Sequence, residues 1–181
     1  MLIKDDLHDL GSDDQLSRFS DDILVSIISR LPLKDAVVTN QLSRRWRYLW
    51  CQTVRLHFED KERSNRVMDL AERNRFINWV NYIIRQHKSS NVDEFKICFD
   101  SDKNAKGAIG KWIEFAISKN VQKLELDLRS SYGQRNYVFP NKIFDRKRGS
   151  SSSNVPARPF ATGMEIKFLK TLVLKGVGVN A

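Results

Sequence analysis

Few side chains in this sequence could carry chemistry, and they stand apart. The histidines are His8, His57 and His87, and the cysteines are Cys51 and Cys98. None of them sits with others, or with carboxylates, at the short spacings from which a metal is held. Asp21 and Asp22 are adjacent carboxylates, but neighbours at a helix start do not face each other across a substrate; the positive end of the helix dipole explains them better. Cys51 has no basic group placed beside it by any pattern, and a buried structural thiol is the simpler reading. There is no phosphate-cradling glycine loop and no nucleophile elbow. No catalytic residue, cofactor or metal is expected, which leaves recognition by apolar side chains as the chemistry to explain.

That chemistry concentrates in residues 18–50, RFSDDILVSIISRLPLKDAVVTNQLSRRWRYLW. Ile23, Leu24, Ile27, Ile28 and Leu31 recur at i, i+1, i+4, i+5 and i+8, the spacing that lines one face of a helix. Ser20 is placed to cap it with its hydroxyl, and Pro32, lacking an amide donor, ends it. A second short helix is predicted from Lys34 to about Gln41, with Leu33, Ala36 and Val37 inward. Ser43 offers a cap for a third, whose stripe is Leu42, Trp46, Leu49 and Trp50, flanked by Arg44, Arg45 and Arg47. Such stripes usually mark only the nucleus of an ordinary core. About forty residues, however, rarely bury enough surface to stand alone, so the segment needs a partner.

From about Leu16 to Trp50 these residues resemble the F-box, in the version found in the plant F-box proteins with leucine-rich repeats (F-box/LRR, FBD-type). Paired aliphatics, LPLKDAV and LSRRWRYLW fall in the family's order and spacing. The resemblance implies docking onto the Skp-type adaptor of a Skp, cullin and F-box ubiquitin ligase, and through it onto the cullin. It further implies an adaptor-facing set of Asp21, Ile23, Leu24, Ile27, Leu31, Pro32, Leu42, Trp46 and Trp50. Trp46 is the strongest single candidate, because a large aromatic in a desolvated contact contributes ~2 to 4 kcal/mol. One departure is Phe19-Ser20, where the family usually has Leu-Pro before the paired acids. A lost proline typically costs ~0.4 to 1 kcal/mol, less than the 1.4 kcal/mol of a tenfold change in binding.

Composition bounds the rest. The 181 residues, 41% hydrophobic, suffice for one or two domains. No apolar run reaches the length of a membrane span, and the acidic N-terminus does not read as a signal peptide, so a soluble protein of the nucleus, the cytoplasm or both is expected. Two distant cysteines fit a reducing compartment. The net charge of +9 raises nucleic acid as a partner, but the basic residues are scattered and most aromatics fall at core-periodic positions.

Beyond residue 53 the pattern alternates between strand and helix. Val54, Leu56 and Phe58 predict a strand; Phe76, Trp79, Val80, Ile83 and Ile84 predict a helix over about 73–87; Phe95, Ile97 and Phe99 predict a second strand. Ile109, Trp112, Ile113, Ala116 and Ile117 predict another helix, and Leu124, Leu126 and Leu128 a third strand. Helix positions repeat at a shift of 33, and strand positions at 29. Leu169, Leu172 and Leu174 reproduce Val121, Leu124 and Leu126 at a shift of 48. Repetition of one strand and one helix fits a leucine-rich solenoid with insertions or a plain βαβ domain with a parallel sheet. The resemblance favours the solenoid, since YVFP at 137–140 and the strand–helix units look like the opening repeats of the same plant family.

The expected architecture is therefore α+β: a mobile leader at 1–15, a three-helix F-box at 16–53, and an incomplete, irregular α/β leucine-rich-repeat solenoid with a parallel sheet at 54–181. A flexible Ser-, Pro- and Arg-rich insertion is expected at 145–163. The chain reads as truncated relative to the family. The expected role is a non-catalytic receptor that holds an unknown protein substrate beside the ligase; a substrate-free competitor for the adaptor and a basic nucleic-acid module are the alternatives. No membrane partner is expected.

Overall fold

A computed structural model of the chain describes residues 15–59, 68–129, 137–139 and 168–179. The expected insertion at 145–163, and all but the last residue of the expected leader, lie outside them.

Residues 15–52 are built of short helices and turns. Helix α1 (Asp21–Ile28) follows a 3-10 turn over Gln15–Arg18, and α2 (Leu33–Val38) runs into a 3-10 turn over Thr39–Gln41. The α1 chain tightens before Pro32: the amides of Arg30 and Leu31 donate three residues back, to Ile27 and Ile28, each at 3.0 Å. Leu33 and Ala36 are buried and Val37 half-buried, as their spacing predicts. Ser20 occupies the cap position with an extended backbone, but its hydroxyl makes no capping bond, contrary to expectation. The expected third helix is instead two 3-10 turns, Trp46–Tyr48 and Trp50–Gln52. Three residues per turn bring Trp46 and Leu49 to one side, where both are buried together with Trp50.

Strands β1 (Arg55–Phe58), β2 (Glu94–Cys98) and β3 (Lys123–Asp127) come next, with α3 (Leu70–Gln86) and α4 (Lys106–Ser118) between them. Strand β4 (Tyr137–Phe139) pairs in parallel with β6 (Val177–Val179), while β5 (Thr171–Lys175) joins the main sheet. That sheet is wholly parallel, in the order β1-β2-β3-β5. Its register reproduces the sequence shifts: Phe95 lies beside Leu124 and Ile97 beside Leu126, 29 residues on, and Leu124 lies beside Leu172, 48 residues on. At the entrance to each strand one carbonyl receives two successive amides from the next. Val54 takes Asp93 and Glu94 (2.8 and 3.2 Å), Asp93 takes Gln122 and Lys123 (3.2 and 2.9 Å), and Gln122 takes Lys170 and Thr171 (2.8 and 3.0 Å). The sheet is thus built by repetition of one local geometry.

Both long helices pack on the same face of the sheet. Phe58 meets Trp79 edge-on at 5.2 Å, Phe76 stacks on Phe99 at 5.0 Å, and Phe95 meets Phe115 at 5.6 Å. Trp112, fully buried, donates its indole N–H to Asn81 Oδ1 at 2.9 Å and so ties α4 to α3. Helix α3 begins three residues earlier than its apolar stripe suggests, because Asp69 and Glu72 form a reciprocal capping box. Arg73 in its first turn clamps the Asp100 carboxylate (2.9 Å) and carbonyl (3.0 Å) after β2. Two left-handed residues, Asn120 (φ 53°) and Gly176 (φ 68°), turn the chain into β3 and β6; a Cβ on Gly176 would lie 2.5 Å from the Arg129 amide nitrogen.

The helical third and the sheet share one core, and the seam between them is hydrogen-bonded. The Val54 amide donates to Ser29 Oγ (3.3 Å), the Lys88 amide to the Cys51 carbonyl (2.8 Å), and His87 Nε2 to the Thr53 carbonyl (2.9 Å). His87 is 7% exposed and stands edge-on to Phe115, and its Nδ1 has no partner. Burial pushes the imidazole below its usual value of 6.5; the bond to Thr53 opposes this and the Lys119 ammonium adds to it. The unfolded chain therefore binds the extra proton first. Stability should hold above pH 6.5 and fall as the pH drops below it, until the folded imidazole also protonates. Denaturation midpoints measured from about pH 7.5 down to about pH 5 should show this loss in the wild type and a flatter profile in His87→Gln. Equal slopes in the two proteins would remove His87 as the cause.

Candidate functional site

The nine residues singled out from the F-box resemblance divide in the folded chain. Asp21, Ile23, Ile27, Leu31, Pro32 and Leu42 are exposed, whereas Leu24, Trp46 and Trp50 are buried in the shared core. Trp46 is only 4% exposed and lies in the core behind the exposed residues. The physical reason is amphipathicity with two apolar sides. On α1, Leu24 and Ile28 turn inward at i and i+4, while Ile23 and Ile27, one position earlier, turn outward.

The outward side is unusual for its content. Among the described residues the large apolar side chains left exposed are Leu16, Phe19, Ile23, Ile27, Leu31, Val38, Leu42 and Tyr48 in the first third, and only Leu70, Tyr82, Val138 and Phe168 elsewhere. Single exposed hydrophobics need no explanation, but eight in one short segment set that segment apart from the rest of the described residues. Ile23 and Ile27 follow at i and i+4, a stripe along α1, and Phe19 precedes the helix. Arg45 fastens the start of this helix: its guanidinium reaches Asp21 Oδ1 at 2.7 Å and the Phe19 carbonyl. Leu16, Phe19, Val38 and Tyr48 are exposed in the same segment and were not among the nine residues.

The open face of the sheet, opposite the helices, is chemically different. Its side chains form rows of alternating charge across the strands. Glu94 lies between His57 (2.9 Å), Arg55 (3.7 Å) and Lys123 (4.0 Å); Lys96 lies between Glu59 (2.6 Å) and Glu125 (3.7 Å); Lys175 reaches Glu125 at 3.6 Å. The hydrogen bond from Lys96 to Glu59 raises the ammonium above its usual value. Burial alone would raise Asp127, but the fork of Arg129 on its two oxygens (2.8 and 2.7 Å) outweighs it and holds the carboxyl low. Cys98 shares this face; desolvation, then Asp127 and Glu59, push its thiol up, and burial pushes up that of Cys51. Neither environment activates a thiolate. Among the described residues no three His, Cys, Asp or Glu side chains come together as a metal site, and no helix is long and apolar enough to cross a membrane.

Comparison with known proteins bears on the apolar surface. Residues 16–57 match the F-box domain family. The chain is 34% identical over 150 residues to a putative F-box/LRR-repeat protein of Arabidopsis thaliana, covering 72% of this chain and 31% of that one. It is an F-box protein of the plant F-box/LRR and FBD type. An F-box/FBD/LRR-repeat protein of the same plant is 32% identical over 136 residues, covering 72% of this chain and 29% of its own length. An FBD-associated F-box protein is 28% identical over 171 residues, covering 91% of this chain and 39% of its own length. The chain thus spans well under half the length of these relatives. No solved structure matches it.

The division of the F-box into an inner and an outer side can be measured. Trp46→Ala should lower unfolding stability by ~3 to 5 kcal/mol, as truncating a buried aromatic does. Leu42→Ala, at a position 63% exposed, should stay within about 0.5 kcal/mol of the wild type. Urea unfolding of the two variants checks both, and a fully stable Trp46→Ala would show that the indole is not part of the core.

Proposed function

We propose that this chain is a substrate-recognition subunit of a Skp, cullin and F-box ubiquitin ligase, as F-box proteins generally are. The observation that carries this reading is the concentration of exposed apolar side chains within the residues that match the F-box. Ile23, Ile27, Leu31, Pro32 and Leu42 dock the Skp-type adaptor, while Leu24, Trp46 and Trp50 hold their backbone in place from inside. Burial of aliphatic side chains on association supplies the affinity, at ~25 cal/mol per Å² of apolar surface before the costs of association.

On this reading the parallel sheet and its two helices are the opening repeats of a leucine-rich solenoid. Recurrence of the same carbonyl-to-two-amides geometry at Val54, Asp93 and Gln122 supports it. The charged open face presents a protein substrate. The chain contributes no bond-making step; it raises the concentration of that substrate near the ligase's catalytic subunits. The seam at Val54 and His87 fixes the adaptor-docking side relative to the substrate side.

Titrating a Skp-type adaptor with the wild type and with Ile27→Glu tests the docking. A charge placed in a desolvated apolar contact should weaken binding at least ~10-fold, or 1.4 kcal/mol, without unfolding an exposed site. Equal affinity in the two folded proteins would exclude Ile27 from the interface. Affinity purification with ligase turnover blocked addresses the substrate: a non-ligase protein should be enriched. Recovery of adaptor and cullin alone would instead favour a chain that competes for the adaptor without a substrate.

A further inference from the structure

Resting on the substrate-receptor reading above, we infer that the groove between α1 and the strand entrance at Val54 is a second part of the substrate site. Its occupant is an extended peptide segment of the substrate that carries a basic and an acidic side chain roughly three to four residues apart. The groove holds about 580 Å³, within the ~300 to 1,000 Å³ of ligand sites. One wall is α1 and the turn that ends it, through Asp22, Ser26, Ser29 and Arg30. The other is the strand entrance, through Val54, Arg55 and Asp93. The bond from the Val54 amide to Ser29 Oγ, at 3.3 Å, ties the two walls, so the seam sets the width of the groove.

Helix α1 thus has a third face. Leu24 and Ile28 turn into the core, and Ile23 and Ile27 belong to the exposed apolar side. At about 100° per residue, Asp22 and Ser29 lie roughly 120 to 140° around the helix from the line of Ile23 and Ile27. The groove and the apolar side therefore open in different directions. Charge selects the occupant. Elsewhere opposite charges are matched within the chain, as Arg45 is with Asp21, Arg73 with Asp100 and Lys96 with Glu59. Among the described residues no ion pair engages Asp22 or Arg30. At i and i+8 they stand about 12 Å apart along the helix axis, a span that an extended chain covers in roughly three to four residues. One short segment can therefore set a Lys or Arg on Asp22 and an Asp or Glu on Arg30. Arg55 adds a second guanidinium, half exposed and 3.7 Å from Glu94, while Asp93 is held by Gln122 at 3.0 Å. A simple anion would meet the two carboxylates and a wholly basic peptide the two guanidinia, so a segment of mixed charge fits best. Arg55 also stands on the open sheet face beside Glu94, which makes the groove continuous with the face that presents the substrate.

Short synthetic peptides titrated into the full chain at low salt test the inference, with affinity read from nuclear magnetic resonance shifts and folding from circular dichroism. The probe is a Ser- and Gly-rich peptide, blocked at both ends, with lysine and glutamate at i and i+4; its control carries glutamine at both places. The probe should bind about tenfold more tightly than the control. Arg30→Glu should weaken the probe about tenfold, and exchanging the peptide's glutamate for lysine should restore most of that loss, as expected of two charges in direct contact. Equal binding of probe and control overturns the inference, and so does a folded Arg30→Glu that binds the probe like the wild type. Should Arg30→Glu fold poorly, Asp22→Asn, which keeps the side-chain shape at an exposed site, closes the same cycle with the peptide whose lysine is replaced by glutamine. The probe should also bind a chain saturated with the Skp-type adaptor; its displacement would assign the groove to the adaptor and end the proposal. Adaptor binding without probe binding overturns the groove alone. Probe binding by a chain that takes no adaptor overturns the ligase reading and leaves the groove as a peptide site.

Discussion

The structure hangs on Val54. Its amide donates to Ser29 at the end of α1, and its carbonyl receives the amides of Asp93 and Glu94 at the start of β2. One peptide unit on either side of a single residue thus joins the F-box to the sheet. The next two strand entrances repeat that geometry, since the Asp93 and Gln122 carbonyls take the following strands in the same way. A buried backbone group must find a partner, so a parallel strand entering beside Val54 has little freedom in register. With register fixed there, Leu56 faces Phe95, and the apolar rows follow.

The seam lets the F-box, too short to bury its own apolar residues, share a core with the sheet. The F-box contributes Trp46, Leu49 and Trp50, and the sheet contributes Leu56 and Phe58, to a core that runs through both. His87 closes the boundary from the sheet side with its single bond to Thr53, at the cost of a buried nitrogen without a partner. Lys88, next to it, places its ammonium 4.6 Å from the centre of the Tyr48 ring, on the F-box side. Polar and apolar contacts therefore cross the boundary together, which is why the F-box here is a face of the molecule rather than a separable bead.

Much of this was legible in the sequence, and the reason differs by element. The strand shifts of 29 and 48 residues became the register because apolar-x-x-apolar-x-apolar marks both the strand entrance and its inward face. Helix α4 was found for the same reason, as Ile109, Trp112, Ile113 and Ala116 are all inward. The capping box of Asp69 and Glu72 was missed because the apolar stripe starts only at Phe76. Exposure within the F-box was less legible. Periodicity says which residues share a face, but not whether that face meets the chain's own core or a partner. On α1 the two sets are offset by one residue, so Ile23 and Leu24 look alike in sequence and differ entirely in exposure. The tryptophans drew attention by size, and size is what sent them inside.

The two faces to which the proposed function assigns partners obey different physics. The F-box rim is aliphatic and aromatic, so what it gains on docking scales with surface removed from water and depends weakly on salt. The open sheet face is already paired, Glu94 and Lys96 each standing among opposite charges. A protein laid over that face has to replace existing ion pairs with its own, and such exchanges come close to balance when every charge finds a partner. They become costly when one charge is left over. Net charge is therefore a poor guide to what this face accepts, even on a chain of +9. On the proposed function, affinity belongs to the apolar rim and discrimination to the sheet, where a partner with the wrong order of charges is penalised row by row.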